Sequence, residues 1–328
     1  MISSISGYFN RLAEDFGRGW NRFWFTPADP LPLAVIRLGA GAVTLYWYLT
    51  LAPDLARLFA PGGWLPMDVV RQVEGNSAVY QWSYFNYFQG SNELWTVYIL
   101  GGLVLAAFFV GWQTRVTAPL ALVTVLSTIH RAPLISSQLE PLLTMVLLYL
   151  ALGPVGACLS VDAWRKSRAG SNTTPHEEPR APSLGAGVVA RLLQVHLALL
   201  YACMGLSKLF AESWWSGSAV WWLITRSESR LADFTWLYGH PFVVNFWTHS
   251  IVVFEIGFAI LIWNRLARPL LLAVAVVMWC SITLLTGQLA FLAMMLIANL
   301  AFVPACAFDA CCAGVARRTE TSPAPLSN

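Results

Sequence analysis

Lys208 stands in the run Leu199-Leu-Tyr-Ala-Cys-Met-Gly-Leu-Ser-Lys208-Leu-Phe-Ala-Glu-Ser-Trp-Trp-Ser-Gly217, where an apolar helix opens into a tryptophan-rich loop. A lysine at the mouth of such a helix is costly unless it is paired, solvated or neutral. Desolvation favours the neutral amine, and that is the form able to take a proton from a substrate. Two readings of Lys208 therefore stand side by side. One is a partly desolvated general base beside a flat apolar substrate. The other is an ammonium that snorkels to the membrane interface as an anchor, with Glu212 one helical turn on.

Other charged residues in apolar surroundings extend the list. Glu255 lies inside an apolar run, and an acidic residue there faces the bundle interior and is commonly paired. It is a candidate partner for Lys208, with His249 six residues earlier as a further catalytic candidate. The blander expectation is a structural ion pair with Arg37 or Arg191, each also within a helix. Trp214, Trp215 and Trp221 are candidates to wall a substrate pocket, although aromatic belts at a membrane interface account for most of the 16 tryptophans. His130 and Arg131, at the end of a helix, are placed to reach a substrate carboxylate or a lipid headgroup, or to anchor the helix, and Glu140 is a plausible partner for Arg131. His196 lies about three turns before Lys208, too far along the axis to share its site, and reads as a hydrogen-bonded core histidine. Asn299 and Gln288 read as interhelical hydrogen-bonding groups, and Gly39, Gly41, Gly101 and Gly102 suit close helix packing. The six cysteines show no CxxC and no metal-ligand spacing, so no metal is expected and the cysteines read as small buried hydrophobes.

The elements that must position these residues follow from composition. The chain is 57% hydrophobic and 11% charged, where soluble domains carry about 25% charged residues. This is an all-α, polytopic membrane helix bundle. A crossing helix needs about 20 mostly apolar residues, and eight runs qualify as candidates: 31–51, 94–111, 117–129, 141–159, 188–206, 243–263, 269–285 and 289–308. The third is the shortest. Twelve Lys and Arg fall on the side of the N-terminus and five on the other, which by the positive-inside rule puts both termini in the cytoplasm. No cleavable signal is visible, so the first membrane helix acts as its own insertion signal. A net charge of +3, scattered along the chain, excludes nucleic acid as a partner and leaves membrane lipid as the default one.

Within 1–312, residues 1–30 form an amphipathic N-terminal segment. Residues 165–187, rich in Pro, Ser, Thr and charge, read as a flexible cytoplasmic linker between two four-helix halves. Residues 313–328 read as a disordered tail. The two long loops on the other side, 52–93 and 207–242, are too aromatic to float freely and are expected to fold back onto the membrane face.

Several short motifs, in order, resemble a known family. They are Phe23-Trp-Phe-Thr-Pro-Ala-Asp-Pro-Leu-Pro-Leu-Ala-Val-Ile-Arg37-Leu-Gly39, Gly111-Trp-Gln-Thr-Arg115, Arg131-Ala-Pro133, Gly153-Pro154 to Ser160-Val-Asp162, Arg191-Leu-Leu-Gln194, Tyr201 to Lys208, Trp215 to Gly217, and Glu255. Together they resemble the horizontally transferred transmembrane domain (HTTM) family, bacterial relatives of vitamin K-dependent γ-carboxylase. The resemblance implies a multi-helix fold in the bacterial inner (plasma) membrane. It also implies that Lys208, in Gly205-Leu-Ser-Lys208-Leu, matches the second lysine of the carboxylase Gly-x-Lys-Lys-Leu motif, the base that deprotonates vitamin K hydroquinone. The residues alone name no cofactor; a quinone or hydroquinone is what the resemblance implies. Two departures stand out: Ala157 occupies the place of a functional carboxylase histidine, and the chain ends near its last helix, where the carboxylase carries a large lumenal domain.

Whether the chain is an enzyme is left open at this level. A quinone-linked or base-catalysed modification enzyme at the outer membrane face is the first reading. A maturation or assembly factor for a secreted peptide or a thiol oxidoreductase, without catalysis, is the second. A transporter ranks last, because no inverted repeat and no paired broken helices are evident.

Overall fold

The computed structural model describes residues 2–60, 62–66, 72, 82–88, 90–169, 181–226 and 231–308, with side chains from residue 11 onward. These residues are helical, and a single two-residue bridge, Ala28 to Ser183, is the β-type pairing among them. The main helices are α1 (Ile2–Trp24), α2 (Leu31–Thr50), α3 (Ser91–Val110), α4 (Thr114–Arg131), α5 (Leu139–Leu152), α6 (Val161–Ala169), α7 (Leu184–Leu209), α8 (Pro241–Leu261), α9 (Ala267–Thr286) and α10 (Leu289–Asn299). Short helical turns at Leu55–Phe59, Glu212–Trp215 and Ala219–Thr225 join them.

Each of the eight apolar runs contains a helix, but five helical stretches are long and apolar enough to cross a membrane: Leu31–Phe59, Ser91–Val110, Leu184–Leu209, Pro241–Leu261 and Ala267–Thr286. Helices α5 and α10 are apolar but shorter, because Gly153-Pro154 and Pro304 stop the runs that suggested longer spans. Helix α4 is made less apolar by Thr117, Thr124 and Thr128. Their hydroxyls donate to their own helix's backbone one turn back, which lets them sit buried.

Sequence chemistry explains the helix ends. Asp29 accepts from the Leu31 amide and Pro32 occupies the first turn of α2. Ser183 caps α7 through the Ala186 amide. Gly111 (φ 76°) and Gly287 (φ 69°) close α3 and α9 in the left-handed region, which glycine adopts without steric penalty.

The bundle has two ends. Phe23 against Trp263, the Ala28–Ser183 bridge and the Asp162 amide bonded to the Gly111 carbonyl gather residues 23–28, 111–114, 159–162, 183 and 263 at one. At the other, 52–60, 62–66 and 82–88 fold back on α4. Arg131 donates to the Leu65 and Phe59 carbonyls, and Ser83 pairs with Ser127. There 212–225 also folds back onto α8, where Thr248 donates to the Gly217 carbonyl and accepts from the Val220 amide. The described parts of the two aromatic loops thus lie against the bundle.

At the two ends of the expected linker, 165–169 belong to α6 and 184–187 form the first turn of α7. Residues 170–180 lie outside the described residues, as does the whole of 313–328. Cys203 and Cys306 are exposed at the bundle surface rather than buried.

Candidate functional site

Helices α7 and α8 make the most extensive helix pair in the bundle. Their approach depends on Gly205. A Cβ there would sit 2.7 Å from Ile256 Cγ1 and 3.2 Å from Glu255 Cβ. With no side chain in the way, Glu255 comes up beside the helix one turn before Lys208. Lys208 Nζ then donates to both carboxylate oxygens, at 2.8 and 2.7 Å, and also to the Met204 carbonyl at 3.3 Å. Trp214, carried by the turn Glu212–Trp215, lays its ring 5.0 Å from Nζ, within cation–π reach.

The pair is asymmetric in burial. Glu255 is 1% exposed and the Lys208 side chain 18%, so the carboxylate is inside and the lysine is only partly buried, reaching toward the bundle surface. Below it lies an aromatic floor. Tyr201 stacks on Phe258 at 3.9 Å and meets Phe254 edge-on at 6.0 Å. Its hydroxyl accepts from Trp279 Nε1 at 2.7 Å and from Asn299 Nδ2 at 3.0 Å, joining α7, α9 and α10. Asn299 thus bridges helices as its type suggested.

The expected ion pair of Glu255 with Arg37 or Arg191 is not what forms. Arg37 is fully buried at the opposite end, where it donates to the Leu159 carbonyl and crowds Gly111. Arg191 donates to Gln194 at 2.9 Å and lies over the Phe23 ring at 4.8 Å. Nor does Glu212 pair with Lys208; it is exposed on the surface turn. His249 stays apart as well: six residues from Glu255, it is on a different helix face, exposed and bonded to its own helix at the Asn245 carbonyl.

Among the proposed pocket residues, Trp214 alone touches Lys208. Trp215 is exposed and donates to the Leu209 carbonyl, and Trp221 packs on Tyr238. His130 bonds the Trp82 carbonyl at 2.9 Å. Arg131 is buried, donating to two carbonyls and lying over the Phe59 ring, so it has no free face for a substrate. Glu140 does not pair with Arg131. It accepts instead from Trp47 Nε1, the Ser137 amide and the Ser137 hydroxyl. His196 is hydrogen-bonded as expected, to the Tyr149 hydroxyl at 2.8 Å, but on the bundle surface rather than in its core.

Three quoted motifs meet at the other end of the bundle. Asp162 accepts from the Gln113 amide, the Thr114 amide and the Thr114 hydroxyl, and so caps α4 from a distant stretch of chain. Partial burial raises the Asp162 carboxyl, but these hydrogen bonds outweigh it and hold it below the usual carboxylate range.

Sequence reading quoted Gly205 in the motif but missed its packing role, whose signal was a small residue one turn before the lysine, and it missed Trp47, which was lost among many aromatics. A cavity of about 250 Å³ also went unforeseen; it is lined from α2, α4 and α5 and shares no residue with the Lys208 site. Compared with family models, curated proteins and solved structures, the chain matches none.

Proposed function

We propose that the chain is an eight-span bacterial inner-membrane protein of the HTTM type with both termini cytoplasmic. In this reading Lys208 and Glu255 form a proton-transfer site at its outer face, acting on a flat apolar substrate with an acidic hydroxyl. The observation that carries the reading is the ion pair itself: a partly buried ammonium held by a carboxylate that is almost fully enclosed. Within that hydrogen bond a proton can pass from Nζ to Glu255, converting two charges into an amine and a carboxylic acid. Apolar surroundings penalise the charged form, so they bring the two states closer. The amine then accepts a proton from a substrate hydroxyl, which leaves an ammonium beside the substrate oxyanion and Glu255 as the neutral acid.

A hydroquinone, when bound, supplies such a hydroxyl, and the flat Trp214 indole beside Nζ fits an aromatic ring. The motif order around Lys208 supports the same family reading. The basic residues gathered at the end shared by 23–28, 111–114 and 263 support a cytoplasmic N-terminus.

The test is mass spectrometry of small molecules that co-purify in mild detergent with wild type and with Lys208→Met/Glu255→Gln, which removes both charges together. A quinone carried by wild type and absent from the double variant is the expected result. Bulk phospholipid alone with both would overturn it and leave Lys208 as an interfacial anchor.

A second reading, an assembly factor for a secreted peptide or thiol oxidoreductase, is favoured by one feature. Phe210, Tyr238 and Phe242 stand almost fully exposed around the same end. Crosslinking from Phe242 in cells checks it: a defined peptide adduct supports docking there, whereas lipid adducts alone assign these rings to the membrane interface.

A further inference from the structure

We infer that the cavity where α2 and α4 end and α5 begins binds a small organic cation through an ammonium group. The argument rests on which hydrogen-bonding groups its lining leaves available. Every polar hydrogen there is already donated elsewhere: Trp47 Nε1 to Glu140, and the Tyr48 hydroxyl to the Tyr98 carbonyl. Likewise the Thr50, Thr128 and Ser136 hydroxyls donate to the carbonyls of Trp47, Thr124 and Ala132. What remains for a ligand is lone pairs, so the cavity suits a donor and disfavours an anion.

Charge points the same way. Glu140 is 6% exposed and accepts three hydrogen bonds, the pattern of an ionised, acceptor-only carboxylate. Two of these fall on Oε2 and one on Oε1, which leaves Oε1 with acceptor capacity to spare. No cationic side chain among the described residues pairs with it: Arg131 is turned to the Leu65 and Phe59 carbonyls. The other carboxylate in the lining, Asp54, is half exposed and pairs with Arg57 at 3.3 Å. A buried carboxylate is costly, and since no described residue gives Glu140 a counter-charge, a cationic ligand would supply one.

The walls select the kind of cation. A bare Ca²⁺ or Mg²⁺ ion takes about six or more oxygen ligands, and no group of three metal-binding side chains occurs among the described residues. Trp47, Tyr48 and the aliphatic lining favour an ammonium carrying a hydrocarbon body. The volume of about 250 Å³ suits a small amine, since drug-sized ligands occupy roughly 300–1,000 Å³. Two sources carry this chemistry: a free amine, and the ethanolamine headgroup of a lipid.

The test compares wild type, Glu140→Gln and Ile135→Trp in lipid-depleted micelles. Ile135 lines the cavity and is 51% exposed, so a larger ring there fills the space without entering the core. Thermal unfolding is followed against ethylammonium chloride, with sodium chloride at equal ionic strength as control. The expected result is a saturable rise for wild type, at least tenfold weaker binding in Glu140→Gln, and none in Ile135→Trp. Native mass spectra then separate the sources. Selective retention of phosphatidylethanolamine over phosphatidylglycerol, reversed by ethylammonium, identifies the headgroup; saturation by ethylammonium without lipid retention identifies a free amine. Equal responses to both salts, or undiminished ethylammonium binding in Ile135→Trp, overturns the inference, and that variant decides the matter if Glu140→Gln does not fold.

Discussion

At the scale of single residues, the Lys208–Glu255 pair makes an asymmetric prediction. Removing one partner of a buried pair strands the other, at a cost of about 3–5 kcal/mol. Glu255 is the enclosed member, so Lys208→Met should fall in that range, whereas Glu255→Gln should cost less because the lysine already reaches toward the surface. The double variant should be more stable than Lys208→Met alone. Reversible unfolding of the four species in mixed micelles checks this; additive losses would mean that the pair is not coupled. Both residues were legible as unusual in the sequence, and Glu255 as a candidate partner for Lys208, but not the choice of Lys208 over Arg37 or Arg191. Charge alone makes Arg37, Arg191 and Lys208 equivalent partners for Glu255. What separates them is which end of the bundle each reaches and how closely two helices approach, and the second depends on a missing side chain at position 205.

At the scale of elements, α4 depends on a group far from it in sequence. Its first turn has no capping side chain of its own, and Gln113 preceding it stands at φ 46°. Asp162 supplies the acceptor, and removing a cap of this kind costs about 0.5–2 kcal/mol. Asp162→Ala should therefore accelerate amide exchange at Gln113 and Thr114 while leaving α8 unchanged. The pH dependence has a defined sign. The folded Asp162 carboxyl is held below its ordinary value of 3.8, so its contribution is complete above that value. It is lost as pH falls further through the lowered folded value. Amide exchange at Thr114, compared at pH 6 and at pH 3, reads this directly, and Asp162→Asn should remove the pH step. Some helix boundaries were legible from a proline or glycine beside an apolar run, as at Pro30, Gly111 and Gly287. Others were misjudged where an apolar stretch runs on past Gly153-Pro154, because hydropathy continues where backbone geometry stops.

At the scale of the whole molecule, the helical, membrane-embedded character follows from composition, and every apolar run did become a helix. Their arrangement around α10 did not follow, because it rests on a few hydrogen bonds between helices distant in sequence. Tyr201, Trp279 and Asn299 are the clearest case. Tyr201→Phe would leave the Trp279 and Asn299 donors unsatisfied inside the bundle, at about 1–3 kcal/mol. Unfolding should shift by that amount with little change in the Lys208 site. A loss near zero would mean that the neighbouring helices find other partners, as bilayer-embedded groups sometimes do.

The short bridge between Ala28 and Ser183 has a consequence for how the chain is made. Phe23 lies under Arg191 and against Trp263, and Gly187 leaves room for the Thr26 carbonyl, so the first helix is laid on the second half of the protein. Its binding surface leaves the ribosome roughly 150 residues later, on the order of ten seconds at about 5–20 residues per second. During that interval α1 has no protein surface to rest on. Its exposed Leu12, Phe16 and Trp20 then make the bilayer surface the natural place for it to wait, so the order of synthesis itself asks for an amphipathic opening segment.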